Sequence, residues 1–447
     1  MPSALDRIFK AYDVRGVVPD DLDAALVRRI GAAFADWSRA PAIALGRDCR
    51  LSSPELAAAL ADGITARGAD VIDLGLASTD LLYFASGSLD VPAIMLTASH
   101  NPKQYNGMKF CLAGARPVGE ETGLREIRSI VEQGAPPASA PRGSVHDRDL
   151  LGAYVEHVLS FVDVEAMRPL TIVADTANGM GGLVVPAVMS RLPVTLHHLY
   201  PELDGTFPNH PADPIDPENQ TDLKAAVLEH GADIGLAFDG DADRVFLIDE
   251  RAHDVSGSLL TALVAIAMLE REPGAKIVHN LICSWTVPEV IRENGGEPVR
   301  TRVGHSFIKQ VMAETGAIFG GEHSGHYYFR DNYRADSGLI AAVAALGELS
   351  KADRPLSELL APLRRYSDSG EINSVVDDPA GRIEAIRARY GDAEITELDG
   401  ISVDYEDWHF NVRPSNTEPL LRLNLESLVS QADMERRRDE VLALIRS

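Results

Sequence analysis

The sequence predicts an α/β chain: three similar α/β domains with mixed sheets, then a smaller C-terminal α+β domain. Three observations lead there. The 447 residues exceed one ordinary domain. A strand–loop–helix–strand plan begins three times, near residues 42, 170 and 275. A tail of short alternating strands then replaces that plan.

The first unit opens with a strand at Ala42–Leu45, then a polar loop and a helix entered at Ser53-Pro54. That helix ends near Gly68, and a strand follows at Asp70–Leu74. The second unit runs from Leu170–Asp175 through Asn178-Gly179-Met180-Gly181-Gly182 and a helix to Val194–Leu199. The third runs from Ala275–His279 through a helix entered at Pro288, then Gly295-Gly296, to Glu297–Arg302. Pro in the first helical turn and Gly after the last mark the helix ends. In the tail a helix over Pro379–Tyr390 precedes strands at Glu394–Glu397, Ile401–Tyr405, Trp408–Val412 and Leu420–Glu426. An amphipathic helix at Ala432–Ile445 closes the chain. The Pro- and Ala-rich stretch 134–141 reads as a disordered linker. The expected domains are 1–148, 149–250, 251–365 and 366–447.

The charge excludes several functions. There are 42 Lys+Arg against 67 Asp+Glu, a net −25. A nucleic-acid binder needs a basic face, and an anionic membrane attracts basic segments. Lys occurs only at positions 10, 103, 109, 224, 276, 309 and 351; the other basic residues are Arg. Three Cys without a CxxC pair make neither a disulfide framework nor a zinc site. The first ten residues lack an apolar signal core, and the longest apolar run, Leu259–Leu269, is far short of the roughly 20 residues that span a bilayer. That run reads as a buried helix, and the expected location is cytoplasmic.

Four segments stand out chemically. Thr97-Ala98-Ser99-His100-Asn101-Pro102 follows the apolar strand Ala93–Leu96 and sets a hydroxyl on a tight turn. Adjacent Ser and His point apart, so this is no hydrolase triad. Asp239-Gly240-Asp241-Ala242-Asp243-Arg244 lies between apolar strands. Alternate carboxylates stand about 6.7 Å apart on an extended chain, and Gly240 and Ala242 let it curl around one cation. Hard oxygen ligands of this kind suit Mg²⁺. An EF-hand would need Gly where Arg244 stands. A strand followed by Asp-x-Asp also fits an aspartyl phosphotransferase with Asp239 as nucleophile. Gly320-Gly321-Glu322-His323-Ser324-Gly325-His326 offers groups that bind vicinal hydroxyls, and Arg413-Pro414-Ser415-Asn416-Thr417-Glu418-Pro419 offers a fork and turn donors for phosphate.

Taken with Phe9-Lys10-Ala11-Tyr12-Asp13-Val14-Arg15-Gly16, these segments resemble the α-D-phosphohexomutase family in order and placement across nearly the whole chain. The resemblance implies four domains around a central cleft, and interconversion of hexose 6- and 1-phosphates through a 1,6-bisphosphate. Ser99 becomes the phosphorylated serine, and Asp239, Asp241 and Asp243 hold one Mg²⁺ with the phosphoserine completing the ligands. Arg244 lies beside that phosphate, and His100, Lys109 and His326 are acid/base candidates. Arg15 and Tyr12 are cleft residues that support substrate and Lys109. Glu322 and Ser324 read sugar hydroxyls, His305 is a further sugar or phosphate contact, and Arg413, Ser415, Asn416 and Thr417 grip the non-reacting phosphate. Some relatives carry a Lys in the loop after the third domain's first strand; here residues 280–285 have none, and Arg300 and Arg302 are the candidates to replace it. Thr97 and the absence of Gln between Glu322 and Ser324 favour mannose and glucose phosphates over glucosamine phosphates. The expected partners are small hexose phosphates, with the chain a monomer or weak homodimer. A non-catalytic sugar-phosphate sensor remains as the alternative from another class.

Overall fold

The computed structural model describes residues 4–134, 141–415 and 420–447; the expected linker segment 135–140 lies outside them. Four sheets follow one another along the chain. In the first, the parallel strands Ala93–Leu96, Ala42–Arg47, Asp70–Leu76 and Val145–Asp147 lie side by side. Tyr105–Leu112 adds antiparallel against Ala93–Leu96, and Val14–Val17 closes the edge. The second sheet sets parallel Ile234–Phe238, Leu170–Asp175 and Val194–Leu199 beside antiparallel Val245–Asp249. The third sets parallel Phe319–Gly321, Lys276–Asn280 and Glu297–Thr301 beside antiparallel Tyr327–Phe329.

The three sheets therefore share one topology. In each, the third parallel strand pairs with the first, and a hairpin turns from it into an antiparallel strand. The loops 97–104, 239–244 and 322–326 are these three hairpins. Each sits at the carboxyl end of a parallel strand, where open α/β sheets bind ligands.

The fourth sheet is antiparallel throughout, with Trp408–Pro414 and Leu420–Ser427 at its centre. The former runs two residues beyond its apolar stretch because Arg413 and Pro414 still pair with Arg422 and Leu421. The helix expected to enter at Pro288 starts at Thr286. The apolar run forms the helix Gly257–Arg271, whose residues Leu259–Ala265 are all buried. It packs with Gly338–Ala352 in one core that spans the second and third domains and takes in Ala77, Leu81 and Phe84 of the first. The first and fourth domains keep cores of their own. No helix is long and apolar enough to cross a membrane among the described residues.

Candidate active site

Ser99 is buried and has φ 49°, the left-handed region that a residue with a Cβ rarely occupies. Arg50 holds the strained turn. Its buried guanidinium donates to the carbonyls of Ser99 and Asn101, each at 2.7 Å, and to those of Pro102 at 2.8 Å and Tyr105 at 3.1 Å. Asp48 neutralises it at 3.1 Å. Arg15 ties the same turn from the first strand, donating to Asn101 Oδ1 and, at 2.6 Å, to Asp13. The Ser99 hydroxyl donates to Asp239 Oδ2 at 2.7 Å.

The second hairpin brings Asp239, Asp241 and Asp243 together, with one carboxylate oxygen from each within 4.8 Å of the others. All three are fully buried. Ala242, at φ 60°, makes the curl. Gly240 serves a different purpose from the one read in the sequence: a Cβ there would lie 2.4 Å from the Ser99 carbonyl oxygen. Lys109, on the antiparallel strand of the first sheet, donates to Asp241 at 2.8 Å and Asp243 at 2.5 Å. Arg244 donates to Asp239 from its Nε at 3.0 Å and from its backbone N at 3.2 Å.

Burial raises Asp239, with Arg244 opposing. Burial would also raise Asp241, but the charge and hydrogen bond of Lys109, with the hydrogen bonds of Thr79 and Asp239, outweigh it and hold that carboxyl low. Lys109 is driven the other way: burial would lower it, and Asp241 and Asp243 carry it well above the usual ammonium range. Asp241 Oδ1 and Asp243 Oδ1 are buried without a hydrogen-bond partner. Three buried acids side by side, two with an unpartnered oxygen, suit a hard divalent cation.

His100 accepts from Arg244 Nη2 at 2.5 Å through Nδ1, and that nitrogen lies 3.3 Å from the Ser99 hydroxyl, so the two neighbours do not point apart as the sequence suggested: the left-handed Ser99 backbone turns them together. Burial, with Arg244 and Arg15 alongside, pushes the imidazole down to about 2, so it stays neutral. His326, on the third hairpin, sets Nδ1 3.0 Å from Asp336 and 4.0 Å from Asp243. Burial would lower it, and the Asp336 hydrogen bond together with the charges of Asp243 and Asp336 more than offsets that. Lys309 pairs with the far side of Asp336 at 2.7 Å. Glu322 accepts from Tyr328 at 2.7 Å and from Asn280 and the Gly304 N–H at 3.2 Å. Tyr12 of the first domain reaches the same corner, where a Cβ on Gly304 would lie 2.6 Å from its hydroxyl. Arg413 of the fourth domain pairs with Glu371 at 2.7 Å.

Family models of the phosphoglucomutase/phosphomannomutase α/β/α domains I, II and III match residues 6–137, 152–253 and 256–366, and that of the C-terminal domain matches 371–444. The chain belongs to the phosphoglucomutase/phosphomannomutase family. It is 43% identical to a protein named phosphohexose mutases from Xanthomonas campestris over 98% of this chain and 99% of that one. It is 42% identical to a Salmonella montevideo phosphomannomutase, again over 98% and 99%. A family protein from Burkholderia thailandensis superposes with TM-score 0.91 at 35% identity, covering 99% and 97% of the two chains. The chain is therefore a hexose phosphate mutase, an intramolecular phosphotransferase.

In this mutase the three hairpins bring Ser99, His100, Lys109, Arg244, His326 and the three Asp into one contiguous network. Tyr12 and Glu322 border it, and Ser324 shares the third hairpin. Arg413 stands apart on the fourth domain, and Ser415 beside it pairs its N–H with Leu420 at 2.9 Å. Asn416 and Thr417 lie outside the described residues, as does the side chain of His305 at the start of helix His305–Thr315. Sequence reasoning missed Arg50, Asp336 and the role of Lys309. Arg50 left one signal, an acid two residues before it at the end of a strand. Asp336 left none, because only the third sheet's last hairpin carries it to His326.

Proposed function

We propose that this mutase interconverts hexose 6-phosphates and hexose 1-phosphates through phospho-Ser99 and a hexose 1,6-bisphosphate. Mannose phosphates are the preferred substrates and glucose phosphates the second. The observation that carries the reading is Ser99: a strained turn, pinned by Arg50, aims its hydroxyl at a buried acid cluster 2.7 Å away. Strain held at a nucleophile by four carbonyl contacts is pre-organisation for group transfer.

The phosphoserine P–Oγ bond breaks as a new P–O bond forms to the free sugar hydroxyl. The hydroxyl's proton passes to a cleft base, and the departing Ser99 Oγ takes a proton from a cleft acid, for which the Lys109 ammonium is the candidate, to restore the serine hydroxyl. His326, anchored through Nδ1 on Asp336, leaves Nε2 for this exchange. Arg244 faces the charge that develops on the Ser99 side. Mg²⁺ bound at Asp239, Asp241 and Asp243 supplies charge neutralisation for the transferring group. The bisphosphate then turns over, and its other phosphate returns to Ser99 while Arg413 holds the opposite end. A phosphate site that accepts either end is what distinguishes a mutase from a phosphatase. The substrates are small soluble anions, which suits a cytoplasmic enzyme. The four domains divide near residues 148, 250 and 365.

Asp239 is a poor nucleophile by comparison: it is fully buried, and both its oxygens are engaged by Ser99 and Arg244. The test is Ser99→Ala in a coupled mutase assay with mannose 1-phosphate and glucose 1-phosphate, alongside intact-mass analysis. Loss of both turnover and the phosphorylated mass species is expected. Retained turnover excludes the phosphoserine route.

A further inference from the structure

The cations around the active site are nearly all committed to acids. Arg15 pairs with Asp13, Lys109 with Asp241 and Asp243, and Arg244 with Asp239. Lys309 pairs with Asp336, Arg413 with Glu371, and Arg300 with Asp404 at 3.2 Å across to the fourth domain. Arg302 differs. It lies between strand Glu297–Thr301 and helix His305–Thr315, is exposed, and makes no ion pair among the described residues. In a chain with net charge −25, an Arg without an acid beside an acid-rich cleft is conspicuous.

Arg302 is also held in place. Its guanidinium carbon stands 3.9 Å from the centroid of the Phe307 ring. Phe307 is in turn met edge-on by Tyr12 of the first domain, with centroids 6.4 Å apart at 90°. Stacking fixes the face of the guanidinium and leaves its in-plane N–H donors unused. Those donors form the planar fork that matches phosphate oxygens in pairs.

The place is right as well. The two residues that follow Arg302 join three domains: Val303 N–H donates to Asp399 of the fourth at 3.4 Å, and Gly304 abuts Tyr12 of the first and donates to Glu322 of the third. The charges that act on the Tyr12 hydroxyl are those of Arg302, Glu322, Asp399 and Arg413. Arg302 and Arg413 thus both act on the Tyr12 hydroxyl, one from the third domain and one from the fourth.

We propose that Arg302 binds the phosphate of the hexose phosphate substrate, its guanidinium pre-set on Phe307 at the corner where Tyr12, Gly304 and Glu322 meet. The assignment rests on the hexose-phosphate reading above. The contact is made to substrate and transition state alike, so it acts on KM rather than kcat.

The test uses the full chain with Arg302→Ala, Arg302→Lys and Phe307→Leu. Mutase kinetics with mannose 1-phosphate are run beside calorimetric binding of glucose 6-phosphate, which needs no turnover. Arg302→Ala is expected to raise KM and Kd about tenfold or more, with kcat within about threefold. Arg302→Lys restores part of the loss, and Phe307→Leu falls between. KM and Kd within twofold of wild type in Arg302→Ala overturn the assignment. Wild-type protein that binds glucose 6-phosphate through Arg302 and turns over neither it nor mannose 1-phosphate sinks the mutase mechanism and leaves the assignment standing. Wild-type protein that neither binds glucose 6-phosphate nor turns over mannose 1-phosphate sinks both.

Discussion

Arg50 and the acid cluster make the two sharpest predictions at the scale of single residues. The Arg50 guanidinium serves four carbonyls and Asp48 from one planar fork, and an ammonium cannot reproduce that pattern. Arg50→Lys keeps the charge that Asp48 requires, so the fold survives while the Ser99 turn loosens. A displacement of about 1 Å at a reacting group costs about 100-fold in rate. The expected outcome is a kcat lower by about that factor with KM little changed, checked by steady-state kinetics; an unchanged kcat refutes the role. The acid cluster predicts metal dependence. Lys109 serves Asp241 and Asp243 from one side, yet each keeps a buried oxygen without a partner. A divalent cation that binds only the folded protein stabilises it by about 2.7 kcal/mol at 100 times its Kd. Mg²⁺ is expected to raise the melting temperature of wild type and not of Asp243→Asn, and EDTA to abolish turnover. Equal shifts in both proteins would place the ion elsewhere.

Between elements, the joint of the third and fourth domains carries a titrating group. Glu426, on strand Leu420–Ser427, accepts the Trp285 N–H at 3.1 Å, and Trp285 stacks on His409 at 4.2 Å. Burial pushes Glu426 up to about 7 from an ordinary 4.5, with Asp368 and Glu289 nearby adding to it. His409, lowered to about 3 by burial, stays neutral and offers it no charge. The folded protein therefore holds a proton between pH 4.5 and 7 that the unfolded chain releases. The joint's contribution is complete below that window and is lost as pH rises through it. Glu426→Gln keeps an acceptor for Trp285 without the charge. It is expected to raise stability at pH 8 by on the order of 1 to 3 kcal/mol and to change little at pH 5, read from melting temperatures at both. An equal change at both values refutes the titration. The joint is also loosely filled, with a cavity of about 520 Å³ bounded by Trp285, Arg300 and Asp404. Such interfaces were invisible in the sequence. The repeated units were legible because their strands are short apolar runs bounded by Gly and Pro. Leu170–Asp175 and Val194–Leu199 match residue for residue. Val145–Asp147 is wholly exposed and carries no apolar pattern, so only pairing with Asp70–Leu76 reveals it. Ser99 and the three Asp could be read because each follows an apolar strand. Asp336 and Arg50 could not, since their partners lie in other elements.

For the whole molecule, the question is how an enzyme of net charge −25 captures an anion. Three Lys sit in surface pairs, Lys224 with Asp254, Lys276 with Glu297, and Lys351 with Glu270. Two of the seven, Lys109 and Lys309, are committed instead to the catalytic network. There, together with Arg244, they set three cations against Asp239, Asp241, Asp243 and Asp336, so the protein's own charges at this centre largely cancel. Attraction at contact must then come from a bound divalent cation and from the guanidinium of Arg302, which no acid pairs among the described residues. Farther out the acidic shell dominates and repels the substrate. Salt separates the two ranges. The Debye length falls from about 30 Å at 0.01 M to about 8 Å at 0.15 M, which removes the shell's field and spares contacts inside the cleft. The value of kcat/KM is therefore expected to rise as NaCl increases from about 10 to 150 mM at fixed Mg²⁺. A basic protein with the same substrate would show the reverse. A steady fall from the lowest salt would mean that the cleft's positive field reaches past the acidic shell, and that capture is steered from a distance.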